Sequence, residues 1–149
     1  MLTANTYPRA FVNEDGKVVY FTTAHRGDFK TDLVLLDPAG DGSITRIGSV
    51  PFDYSADSQA VMYAPGKLLV TDAGTGLWKI DINGDAPVAE RIATLSQERN
   101  YGNMTVLADG TVMINGGTGS ANLQAFADKT PLIWNPRTGE LTELPDEAN

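Results

Sequence analysis

Three tight turns set the terms on which this chain can fold. Asp15-Gly16, Pro65-Gly66 and Asp109-Gly110 each separate two runs of apolar and β-branched residues, and their glycines lie 50 and 44 residues apart. Glycine supplies the positive φ that a short hairpin turn needs, so each pair marks a strand–turn–strand unit. The same plan follows every turn. Residues 7–21, 58–70 and 103–114 form the hairpins, and 32–38, 77–82 and 131–136 form a third strand that ends in Asp, Asn, Gly or Pro. Residues 44–50, 90–95 and 140–144 then alternate polar and apolar positions, as a half-exposed outer strand does. Four short strands repeating at about 40 to 50 residues is the pattern of propeller blades. The expected fold is all-β, a β-propeller segment of about three four-stranded antiparallel blades, approximately 7–50, 54–95 and 99–145, within one unit 1–149. A β-sandwich is the competing architecture, but it would make the repeat accidental. Leu123 to Asp128 is the one stretch expected to form a helical turn.

Composition narrows the function classes. With 42% hydrophobic residues in 149, the chain can build a packed core. A formal net charge of −8 argues against nucleic acid or an anionic membrane as partner through the overall field. No apolar stretch approaches the roughly 18 residues of a membrane-spanning helix. Cysteine is absent, which removes disulfides, thiolate metal sites, Cys nucleophiles and any cofactor crosslinked through sulfur. The single histidine, His25, rules out a metal site built on two or three imidazoles of this chain alone. A hydrolase using His25 with Asp28 lacks a marked nucleophile, since no G-x-S-x-G elbow is present. Met1 to Arg9 carries no basic segment followed by an apolar run, so no signal peptide is expected there.

The third unit, Arg99-Asn100-Tyr101-Gly102-Asn103 through Asp109-Gly110-Thr111-Val112 to Gly116-Gly117, resembles the kelch blades of the galactose oxidase and glyoxal oxidase family, especially its bacterial members. The glycine pair after the second strand is the kelch hallmark. Ile133-Trp134-Asn135-Pro136-Arg137-Thr138-Gly139 is similar to that family's third strand and turn. Ala60-Val61-Met62-Tyr63 with Gly66-Lys67-Leu68 looks like the preceding blade, and Tyr7-Pro8-Arg9 with Asp15-Gly16-Lys17 like the one before that. Thr22-Thr23-Ala24 and Asp72-Ala73-Gly74 stand where the first two units would carry the glycine pair. The resemblance implies kelch-type blades from a propeller of seven or a similar number. It also implies a parent that is secreted or periplasmic. Members of that family bind one copper through two tyrosines and two histidines, one tyrosine being thioether-linked to a cysteine. With no Cys and one His, this chain is expected to hold no cofactor itself, and copper enters only through a longer parent. Tyr101 stands in an Arg-x-Tyr context like that of a family ligand, but its blade is not one that supplies ligands. No catalytic or metal-binding residue is therefore assigned. The approach Phe52 to Asp57 lacks the basic residue of sugar-oxidising members, which weighs against galactose as a parent's substrate.

Binding residues are expected where loops enter each blade's first strand and join its second to its third, because a rigid scaffold presents loops on one face. The candidates are Tyr7, Arg9, Tyr54, Asp57, Arg99, Tyr101 and Asn103 on the strand entries, joined by Gln59 and Asn100. His25, Arg26, Asp28 and the loop 116–122 form the other set. Together they suggest a polar and aromatic floor for a carbohydrate or small polar ligand. Each has a structural alternative: Arg and Tyr at strand entries also pack between blades, and His25 also fits a solvated loop. Trp78 and Trp134, at matching third-strand positions, are expected to pack between sheets. Asp81-Ile82-Asn83-Gly84-Asp85 lacks the spacing and distal Glu of a calcium loop and is expected to be a turn.

Three blades leave two sheet faces uncovered. At about 25 cal/mol per Å2, several hundred Å2 left open at each end forgoes on the order of 10 kcal/mol, which is comparable with the stability of a whole domain. The chain is therefore expected to pair with copies of itself, such as two three-blade halves, or with the remaining blades of a longer polypeptide. The leading functional expectation is a scaffold and binding segment of a galactose-oxidase-like protein that is not catalytically complete alone. A copper radical oxidase parent acting on alcohols, aldehydes or carbohydrates, and a kelch module binding protein or glycan, are the alternatives.

Overall fold

The hairpin turns close on glycines with positive φ, as at Gly110 (φ 84°), and the flanking β-branched runs pair antiparallel. The computed structural model describes residues 7–22, 30–119 and 123–146. The first sheet holds β1 (Ala10–Val12), β2 (Val18–Phe21), β3 (Thr31–Asp37) and β4 (Ser43–Val50). The second holds β5 (Ala60–Ala64), β6 (Lys67–Thr71), β7 (Gly76–Asp81) and β8 (Val88–Thr94). The third holds β9 (Asn103–Val106), β10 (Val112–Asn115), β11 (Leu132–Trp134) and β12 (Leu141–Glu143). Within each sheet the spatial order follows the chain order, and every neighbouring pair is antiparallel. This is an all-β fold of three propeller-type blades. One 3-10 turn, Gln124–Phe126, falls where the helical turn was expected.

The sheets stack face to face, and the two-residue period of a strand explains how. Along β6, Leu68 and Val70 point to one side and Leu69 to the other. Leu68 and Val70 join Val19, Phe21, Leu33, Val50, Phe52, Tyr54, Ile80 and Ile82 in a core between the first and second sheets. Leu69 joins Leu77, Leu95, Met104, Val112, Ile114, Leu132 and Trp134 in a second core between the second and third. The middle sheet is thus buried on both faces. Both third-strand tryptophans lie between sheets: Trp78 tilts against Phe52 with ring centroids 4.7 Å apart, and Trp134 meets Tyr63 edge-on at 4.9 Å. The outward faces keep apolar side chains in solvent, among them Val12 and Ile44 on the first sheet.

Contacts at the two ends of the stack fix its pitch. At one end, Asn83 accepts the Glu14 backbone N–H at 3.1 Å and donates to the Pro65 carbonyl at 3.1 Å. This ties the β7–β8 turn of the middle sheet to the hairpin turn of the first. Asp81 accepts the Asn83 N–H at 3.0 Å and pairs with Lys67, so it acts as a turn carboxylate, and both interactions hold its carboxyl below the usual range. At the other end, the connections entering β1, β5 and β9 converge, with β5 and β9 lying side by side. The candidate site lies there.

Candidate functional site

Tyr7, Pro8 and Arg9 lead into β1, Ala56 and Asp57 into β5, and Tyr101 into β9. These six residues line an open cavity of about 620 Å3, so one concavity draws on all three sheets. Its polar groups interact. Asp57 accepts the Tyr101 backbone N–H through its carbonyl at 3.0 Å, and its carboxylate is the main influence on the Tyr101 phenol. The nearby Asp57 carboxylate raises the phenol above its ordinary range, with desolvation and Tyr7 acting the same way. Tyr101 is about half exposed, and its φ of 61° is the only positive value at a non-glycine among the described residues. A left-handed L-residue is strained, and such strain persists only where surrounding contacts over-determine it.

The segment just before Tyr101 is densely bonded. Arg99 is fully buried, and its guanidinium meets the Asp128 carboxylate at 2.7 Å, the Thr130 carbonyl at 2.8 Å and the Gly116 carbonyl at 3.3 Å. Burial pushes the guanidinium below its ordinary value, while Asp128 and Glu143 oppose that. The Gln59 amide donates to the Arg99 carbonyl, and Gln59 is itself fixed by reciprocal bonds with Thr71, each 2.9 Å. The second glycine of the pair after β10 explains its own presence: a Cβ on Gly117 would lie 2.7 Å from the Arg99 backbone. Thr118 then donates to the Asn100 carbonyl at 2.9 Å, and Asp128 to the Gly117 carbonyl at 2.8 Å, so the β10–β11 connection runs alongside the β9 entry.

The expected residues divide into three groups. Tyr7, Arg9, Asp57 and Tyr101 line the cavity. Tyr54, Arg99 and Asn103 do not. Tyr54 is stacked on Phe21 at a centroid distance of 4.5 Å inside the first core, and there burial raises its phenol to about 12 against the pull of Arg9. Its ring is apolar enough to serve packing, and its hydroxyl donates to the Ser58 carbonyl at 3.4 Å. Arg99 acts from below the surface, and Asn103 is an exposed residue paired with Asn115 at the start of β9. His25, Arg26 and Asp28 lie outside the described residues. Asp128 and Thr130 were missed by sequence reasoning, since nothing in the spacing links them to Arg99 across some thirty residues.

A second cavity of about 490 Å3, near Trp78, Asp72, Arg91 and Phe52, is already committed internally. Asp72 accepts the N–H groups of Gly74 and Gly76 at 2.9 and 2.8 Å and the Trp78 indole at 2.9 Å, while Arg91 sits 5.8 Å over the same ring.

No family model and no curated protein sequence matches the chain. Among solved structures it is similar to a fungal alcohol oxidase with catalytic diversity within the AA5 family, in complex with copper. The TM-score is 0.72 at 16% identity, over 95% of this chain and 44% of that one. What they share is the fold. The chain spans less than half the length of that enzyme. The donor set here does not fit a copper site of the kind the sequence resemblance implies: Cys is absent, His25 is the sole histidine, and the described residues bring no three His, Asp or Glu together.

Proposed function

We propose that this chain supplies three kelch-type blades of a galactose-oxidase-like propeller, acting as scaffold and as part of its ligand floor without being catalytically complete alone. One observation carries this: the cavity where the entries to β1, β5 and β9 meet gathers two phenols, a guanidinium and a carboxylate from three sheets. A phenol both donates to and accepts from hydroxyls, a carboxylate accepts from them, and the guanidinium adds fixed donors, a set suited to a small hydroxylated ligand such as a carbohydrate. Titration of 15N-labelled protein with a hexose and with glycerol tests it. Shifts should concentrate at Tyr7, Arg9, Asp57 and Tyr101 and weaken in Arg9→Gln and Tyr101→Phe. Saturable shifts confined to the Trp78 groove, or none at molar glycerol, refute the assignment.

A second reading is favoured by the likeness to a copper-bound alcohol oxidase: the parent is a copper radical oxidase acting on an alcohol, aldehyde or carbohydrate, with its metal ligands outside this chain. Copper titrated into residues 1–149 should then find no stoichiometric site, whereas the longer polypeptide should bind one equivalent.

A further inference from the structure

We propose that the buried Arg99–Asp128 pair is a positioning device, which fixes the connection into β9 so that Tyr101 holds its left-handed conformation beside Asp57 at the cavity. The claim concerns the connection itself and stands whether or not the cavity takes the ligand proposed above. Arg99 is the largest fully buried side chain among the described residues. The acceptors of its guanidinium, on Gly116, Asp128 and Thr130, all belong to the β10–β11 connection of its own sheet. A side chain serving only to join blades would reach across to the neighbouring sheet, and this one does not. The main chain of the same segment is held by that neighbour instead, through the Gln59 amide on the Arg99 carbonyl and the Asp57 carbonyl on the Tyr101 N–H. Tyr101 is therefore clamped from two sides, with the third sheet gripping the side chain two residues before it and the middle sheet gripping its backbone.

The chemistry of the clamp points to geometry as its purpose. Apolar residues of similar volume fill a buried site at least as favourably as an ion pair, because two charges must be stripped of water. Arg99 Nε and Gln59 Oε1 have no partner among the described residues, a cost that a segment selected only for stability avoids. What the pair adds is direction. A planar guanidinium with fixed donors accepts one orientation of three oxygens. Glycine at 102 completes the fit, since a Cβ there would lie 2.5 Å from the Gln59 amide nitrogen and 2.9 Å from the Gly116 carbonyl oxygen.

The test is the double variant Arg99→Met with Asp128→Asn, which removes both charges and keeps an acceptor for the Thr130 N–H. Two readouts apply: hydrogen exchange at the Tyr101 amide, and the ultraviolet titration of its phenol, taken as the difference from the same background carrying Tyr101→Phe. The positioning role predicts a Tyr101 amide that exchanges roughly tenfold faster or more while the β6 amides keep their protection. It also predicts a phenol titrating nearer an ordinary tyrosine. Unchanged exchange and titration overturn the proposal, as does an equal loss of protection in all three sheets, which marks a purely structural residue. Should the double variant fail to fold, Arg99→Lys carries the test. It keeps the charge without the fork, and the same two readouts must move in the same direction or the proposal fails.

Discussion

Replacing Gly117 by alanine should destabilise the fold far more than the same change one residue earlier. Both glycines follow β10, and both have positive φ, 65° at Gly116 and 93° at Gly117. A Cβ on Gly116 meets nothing within 4 Å, so Gly116→Ala should cost only the conformational penalty, about 1 to 2 kcal/mol. A Cβ on Gly117 lies 2.7 Å from the Cα, C and O of Arg99, backbone atoms that Gln59 and the buried guanidinium hold in place. The same penalty plus overpacking against an immovable backbone gives roughly 3 to 5 kcal/mol. That is a large share of a small domain's stability. Urea unfolding of each variant, followed by the fluorescence of Trp78 and Trp134 together, gives both differences. The transition should shift toward lower urea for Gly117→Ala by at least twice the shift for Gly116→Ala. Equal shifts, or a larger one for Gly116→Ala, refute the reasoning.

Tyr54, raised to about 12 by burial, makes the fold sensitive to alkali. Its stabilisation is complete below about pH 10 and is lost as the pH climbs toward 12, because the unfolded phenol ionises first; the loss amounts to a few kcal/mol. Tyr54→Phe should flatten the alkaline limb of a stability–pH profile, and an unchanged limb counts against it. Leu69→Ala, which empties a fully buried position between the second and third sheets, should cost about 2 to 5 kcal/mol by calorimetry. A loss below 1 kcal/mol would mean that the second core collapses freely. In light scattering, residues 1–149 should run above the 15.9 kDa monomer mass, since apolar side chains on the outward faces await cover. A rigid monomer contradicts that.

The blades were legible because their signals are local. Turn glycines, the two-residue period and third-strand tryptophans act over a few residues each, and the structure places them as the spacing implies. The cavity was half legible. Tyr7, Arg9, Asp57 and Tyr101 could be mapped once the strand entries were known, since a repeat sends corresponding positions to one end. Depth was not legible. Tyr54 and Arg99 occupy entry positions like their neighbours, yet one is a core aromatic and the other a buried cation. The difference lies with Phe21 and Asp128, partners distant in sequence. A charged residue is expected in solvent unless a counter-charge is known, and no local pattern announces one some thirty residues away.

The middle sheet gives successive residues of a single strand to two separate cores, Leu68 and Val70 to one and Leu69 to the other. A one-position slip in that strand would exchange the two sets and spoil both cores at once, whereas the same slip in an end sheet would spoil only one. The central blade therefore works as the alignment key of the stack. An error in its pairing is penalised twice.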